Sequence, residues 1–167
     1  MFKKIGLAAF ISCLFIIPLV ITSHQLTRIF VFSAVAERGA QIEVLPFFNL
    51  VEVWNSGISF GMLGGLAYGQ WLLSAVAIII VFFMLRWLLR TDDRFIAVAL
   101  SFIIGGAVGN TIDRLRFGAV ADYLDFYAFE SHWPAFNLTD VAIFVGVCLL
   151  ILRETGILSK LYTKRLG

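Results

Sequence analysis

"FIAVALSFIIGGAVGNTIDR", residues 95–114, decides what kind of protein this chain forms. Its first eighteen residues carry no charge, which is long enough to cross roughly 30 Å of hydrocarbon as a helix, and then an amide, a carboxylate and a guanidinium arrive together at Asn110, Asp113 and Arg114. Composition agrees with a membrane setting. The chain is 60% hydrophobic and only 14% charged, against roughly 45–50% and about 25% in soluble domains. The 167 residues suit one membrane-embedded domain, 1–167. A net charge of +2, with dispersed basic residues, gives no groove for nucleic acid.

Working outward, apolar runs define four spans, at about 5–23, 64–85, 95–112 and 138–152. The first lacks an Ala-x-Ala cleavage site and reads as a retained helix, with Pro18 as a bend point. The fourth is short, so it spans only if Asp140 lies at the membrane boundary. Lys3, Lys4, Arg86, Arg90, Arg94, Arg153, Lys160, Lys164 and Arg165 fall on one side, while only Arg28, Arg38, Arg114 and Arg116 fall on the other. The positive-inside bias therefore puts both termini in the cytoplasm and the segments 24–63 and 113–137 outside.

The outer segments are not plain linkers. "SAVAERG" suggests a short surface helix capped by Gly39, and "IEVLPFF" and "LVEVWNSGISF" alternate enough to suggest strands. The expected fold is thus an all-α integral membrane protein of four transmembrane helices, with a small extracytoplasmic β-rich platform and a short surface helix. Gly105 and Gly109 form a Gly-x-x-x-Gly pair, and Gly61, Gly65 and Gly69 repeat the spacing, so helices should approach closely there.

The topology sets Asp113, ending the third span, at the same depth as Asp140, starting the fourth. Each belongs to an Asn-x-x-Asp unit, "NTID" at 110–113 and "NLTD" at 137–140. Asn137 and Asp140 also fit an N-cap with an acid at N3, the structural alternative. Two carboxylates within reach cannot both ionise easily, so one proton is shared. One member can then take a proton from water while the other donates to a carbonyl oxygen, which hydrolyses an amide without metal or cofactor. A proton or cation transporter and a salt bridge to Arg114 or Arg116 are the rival readings. Neither His24 nor His132 has a nucleophilic Ser or Cys placed for it, and Cys13 and Cys148 read as apolar packing residues.

"VWNSGISFG" at 53–61, "GGAVGNTIDRLRFGAVADYLDF" at 105–126 and "HWPAFNLTDVAI" at 132–143 together resemble the lipoprotein signal peptidase, or signal peptidase II, family along nearly the whole chain. That resemblance implies an aspartic endopeptidase of the bacterial cytoplasmic (inner) membrane. It would remove the signal peptide from diacylglyceryl-modified prolipoproteins, cutting just before the lipidated cysteine near the outer face. It implies Asp113 and Asp140 as the catalytic pair. Asn55, Gly57, Asn110, Arg114 and Asn137 would bind substrate or support the acids, with Asp122 and His24 as further supports and Arg114 tying down Asp122 or another loop carboxylate. Bilayer lipid is the medium, globomycin-type cyclic peptides are implied inhibitors, and a monomer suffices. A cover over the cleft would carry Trp54 and Phe60. The chain departs from the family at "HQLTR", 24–28, where Asp-Gln-x-[Thr/Ser]-Lys is usual, so His24 stands in place of an acid.

Overall fold

A computed structural model describes residues 6–39, 41–57 and 68–155. The described elements are α1 (Leu7–Arg38), β1 (Gln41–Leu45), β2 (Phe48–Asn55), α2 (Gly69–Leu88), α3 (Arg94–Phe117), β3 (Val120–Ala128), β4 (Ser131–His132) and α4 (Leu138–Glu154). Phe60, Gly61 and Gly65 lie outside the described residues, as does the beginning of the expected second span.

Among the described residues, three helices are long and apolar enough to cross a membrane: Ile11–Arg38, Gly69–Leu88 and Arg94–Phe117. Their burial differs in a way that orders the bundle. The α3 window is 61% buried inside the protein, against 22% for α1 and 11% for α2. The central helix is therefore α3, packed by α4, α1 and α2. The outer face of α2 stays apolar and exposed, with Ile78, Phe82 and Phe83 all more than half accessible. An apolar face without a protein partner is what a lipid-facing helix requires.

The helix that carries the first expected span does not end at 23. Helix α1 continues for 32 residues to Arg38, and "SAVAERG" is its last turns rather than a separate surface helix. Such a helix is about 48 Å long, so it outreaches the hydrocarbon layer. The polar residues at 24–28 mislead because they form a buried stripe: His24, Arg28, Val31 and Val35 recur at helical spacing and all face inward.

Close helix approach depends on absent side chains. A Cβ at Gly106 would lie 2.5 Å from the Thr139 carbonyl oxygen and 2.6 Å from Ile143 Cγ1, and one at Gly109 would lie 2.4 Å from Thr139 Cγ2. These two glycines seat α4 on α3. Gly105 instead faces α1, where its Cβ would meet Val20 at 3.0 Å. The Gly-x-x-x-Gly pair thus serves two interfaces.

At the end of the bundle where α1 and α3 finish and α4 begins sits a four-stranded antiparallel sheet in the order β1-β2-β3-β4. The segment 113–137, expected as an outer loop, holds two of these strands. Helix α3 runs on to Phe117 and stops at Gly118, whose φ of 79° is left-handed and whose amide closes on the Arg114 carbonyl. This tight reversal sends β3 back along the bundle, pairing Val53 with Asp122 and Asn49 with Asp125. Strand β3 is buried on both faces over most of its length, so "VADYLDFYA" lacks the alternation that betrays a half-exposed strand.

Candidate active site

The start of α4 organises the site. Asn137 takes extended backbone (φ −138°) as N-cap, and its Oδ1 accepts from the Thr139 and Asp140 amides at 2.8 and 3.1 Å. Asp140 completes a capping box by accepting the Asn137 amide at its Oδ2, 3.1 Å. Its other oxygen accepts from Asn110 Nδ2 at 2.9 Å. The cap and the presentation of Asp140 are thus one structure, not alternatives. The Thr139 hydroxyl, with one proton to donate, lies within hydrogen-bond reach of two acceptors, Asn110 Oδ1 and Asn137 Oδ1.

The second carboxylate at Asn137 is Asp122. Asn137 Nδ2 donates to Asp122 Oδ1 at 2.7 Å, and Asn55 Nδ2 donates to Asp122 Oδ2 at 3.0 Å. One asparagine therefore bridges Asp122 and Asp140. Both acids, with Asn55, Asn110 and Arg114, line a cavity of about 750 Å³. The remaining wall is apolar, with Trp133 and Phe136 on one side and Ile143, Phe144 and Val147 descending α4. Burial, and next the neighbouring charge of Asp140, push the Asp122 carboxyl up from 3.8 to about 6, against the donors from Asn55 and Asn137 and the nearby Arg114.

Asp113 is placed elsewhere. It is fully buried and absent from the cavity wall. Its Oδ1 accepts from Gln25 Nε2 at 2.7 Å, and its Oδ2 accepts from the Ala121 amide at 3.2 Å and lies 2.9 Å from His24 Nε2. The reason is helical rotation: because α3 continues past 113, Asn110 and its i+4 neighbour Arg114 face the cavity while Asp113 turns toward α1. The structure brings Asp122, rather than Asp113, to the cavity that holds Asp140.

Arg114 also differs from expectation. Its Nη2 donates to the Gly57 carbonyl at 3.1 Å, with no hydrogen bond to Asp122, while Gly57 donates its amide to Asn55 Oδ1 at 3.1 Å. Arg114, Gly57 and Asn55 form one edge of the cleft. Trp54 packs on Phe117 and Phe32. Among the described residues no group of three His, Cys, Asp or Glu side chains converges as a metal ion would require.

Two features went unassigned in the sequence. The place of Asp122 in the cavity beside Asp140 could have been found from Gly118, since a left-handed cap after α3 returns the chain beside the helix it has just left. Phe144 and Val147 read simply as part of a span, and only the packing shows that they line a cleft.

The fold and cavity define a polytopic membrane protein whose polar cleft, carrying two carboxylates, continues into an apolar groove. Comparison narrows the class. The family model for signal peptidase (SPase) II matches residues 16–155. The chain is 46% identical over 116 residues to a lipoprotein signal peptidase of Alteromonas mediterranea, covering 66% of this chain and 63% of that protein. It is 35% identical over 139 residues to that of Anaplasma phagocytophilum, covering 83% and 88%. A bacterial membrane enzyme solved by the in meso method at 2.3 Å superposes with a TM-score of 0.76 at 30% identity, covering 96% of this chain and 95% of the other. The chain belongs to the signal peptidase II family of membrane proteases.

Proposed function

We propose that this chain is an aspartic endopeptidase that removes the signal peptide from diacylglyceryl-modified prolipoproteins by cutting just before the lipidated cysteine, with Asp122 and Asp140 as its working pair. The observation that carries this reading is that both carboxylates line one cavity and share Asn137 as a hydrogen-bond donor. Family membership supplies the prolipoprotein class of substrate. The cavity supplies the lipid argument: a polar end suits a peptide, and Ile143, Phe144 and Val147 suit acyl chains entering sideways from the bilayer.

The two acids divide the work by environment. Asp140 accepts a side-chain amide from Asn110 and a backbone amide from Asn137, which fix its two oxygens toward the cavity. Asp122, disfavoured as an anion by burial and by Asp140, holds the shared proton. Water attacks the scissile carbonyl carbon as Asp140 takes its proton and Asp122 gives its own to the carbonyl oxygen, forming a gem-diol. Collapse breaks the C–N bond: the leaving nitrogen takes the proton from Asp140, and the gem-diol returns one to Asp122, restoring the pair. Arg114, Gly57 and Asn55 line the edge where the substrate backbone would be held, and globomycin-type cyclic peptides would compete for it.

In this reading α4 (Leu138–Glu154) is the fourth span, both termini are cytoplasmic, and the carboxylates sit near the outer face of the bacterial inner membrane. The test is cleavage of a diacylglyceryl-modified prolipoprotein by the purified full chain in lipid, beside the same precursor without its lipid. Lipid-dependent release of the signal peptide is the expected result; equal cleavage of both precursors, or of neither, would sink the assignment.

A further inference from the structure

Asp113 and His24 are buried, polar and unused by the proposed chemistry, and their hydrogen bonds can be assigned proton by proton. Arg28 Nη2 can only donate, and it donates to Gln25 Oε1 at 3.2 Å. That orients the Gln25 amide, so its Nε2 donates to Asp113 Oδ1. The Ala121 amide donates to Asp113 Oδ2. N–H groups donate to both Asp113 oxygens, which favours placing the proton of the 2.9 Å contact on His24 Nε2 rather than on the carboxyl.

The other ring nitrogen is decided by Tyr123. This side chain is fully buried, and its hydroxyl oxygen accepts the Leu138 amide at 3.2 Å. Its own proton needs an acceptor, and His24 Nδ1 lies 3.3 Å away. A proton on Nδ1 would set two donors against one oxygen and leave the phenol proton buried without a partner.

We infer that His24 is a positioning residue: it is a neutral imidazole protonated on Nε2, the middle of a one-way relay from the Leu138 amide through Tyr123 and His24 to Asp113. The relay joins four elements. Leu138 is the first residue of α4, two before Asp140; Tyr123 follows Asp122 in β3; His24 lies on α1 and Asp113 on α3. The amide it satisfies at the start of α4 is one that the helix itself cannot pair. An acid in place of His24 would face Asp113 across about the same gap and need a shared proton, whereas a neutral imidazole delivers a donor to one side and an acceptor to the other. The relay therefore holds the backbone on either side of the two working acids without touching substrate.

This inference rests on the Asp122–Asp140 reading for its effect on catalysis, but its core has an independent readout. The chain has two histidines. With 15N-labelled histidine in the full-length protein, and the His132 signals identified by His132→Asn, His24 should show a protonated Nε2 and an unprotonated Nδ1 at neutral pH. Two protonated nitrogens, or the proton on Nδ1 alone, would overturn the assignment. Tyr123→Phe should shift the Nδ1 resonance and lower kcat roughly tenfold with KM unchanged. His24→Gln keeps a donor toward Asp113 and should retain more activity than His24→Leu. If Tyr123→Phe left kcat at the wild-type value, or His24→Gln fell with His24→Leu, the positioning role would fail. A wild-type protein that cleaves no prolipoprotein would instead refute the proposed function, and the nitrogen resonances would still decide the relay.

Discussion

Replacing Asp122 by Asn should make the protein more stable at pH 8 while abolishing its activity. Asp122 is 3% exposed, and its carboxyl is raised from 3.8 to about 6, by burial first and by Asp140 second. A carboxyl harder to ionise in the folded protein than in the unfolded chain imposes no penalty below about pH 4. Its penalty grows as pH rises through that window and reaches ~3 kcal/mol above pH 6. Asparagine removes the charge but keeps one acceptor where Asp122 had two, so either Asn55 or Asn137 meets an N–H instead of an oxygen. That loss is about 1–2 kcal/mol and independent of pH. The balance is a gain of about 1–2 kcal/mol at pH 8 and a loss of similar size at pH 4. Thermal unfolding of both proteins in one detergent at the two pH values measures it. A variant destabilised equally at both would show that Asp122 carries no raised carboxyl, and the division of labour in the dyad would fall with it.

Other outcomes follow from the same geometry. Gly106→Ala pushes a methyl into the Thr139 carbonyl and Ile143, so it should lower stability by about 1–3 kcal/mol and shift Asp140 enough to depress kcat, read by melting and kinetics together. Because Asp122 must start protonated, kcat/KM should decline as pH rises through about 6; a profile flat from pH 5 to 8 would contradict the acid role. Val147→Trp fills the apolar groove and should raise KM for the lipidated precursor roughly tenfold or more with little change in kcat, and an unchanged KM would remove the groove from substrate binding.

Helices were readable wherever hydrophobicity alone decides. The stretches 95–112 and 138–152 fall within α3 and α4, because an apolar run of that length has few other stable forms. The capping box at Asn137 was equally plain, since it is local chemistry. What failed depends on burial. Polar residues at 24–28 looked like an exit from the membrane because a sequence does not show that His24 and Arg28 face other polar side chains. Strand β3 looked like loop because both its faces are covered, and its two acids, Asp122 and Asp125, are buried at 3% and 5% exposure. Asp113 was paired with Asp140 from matching Asn-x-x-Asp spacing, which holds only if the third helix ends at residue 112. Five further residues of helix and the reversal at Gly118 turn Asp113 to α1 and carry Asp122 to the cleft.

The most direct test of this account compares single-turnover cleavage of a diacylglyceryl-modified prolipoprotein by the wild type and by Asp122→Asn, Asp140→Asn and Asp113→Asn, each shown to be folded. The account predicts that Asp122→Asn and Asp140→Asn lose at least about a thousandfold in rate, while folded Asp113→Asn keeps measurable turnover and loses mainly thermal stability. Near wild-type cleavage by Asp122→Asn, with Asp113→Asn inactive though folded, would contradict it and return the catalytic role to Asp113.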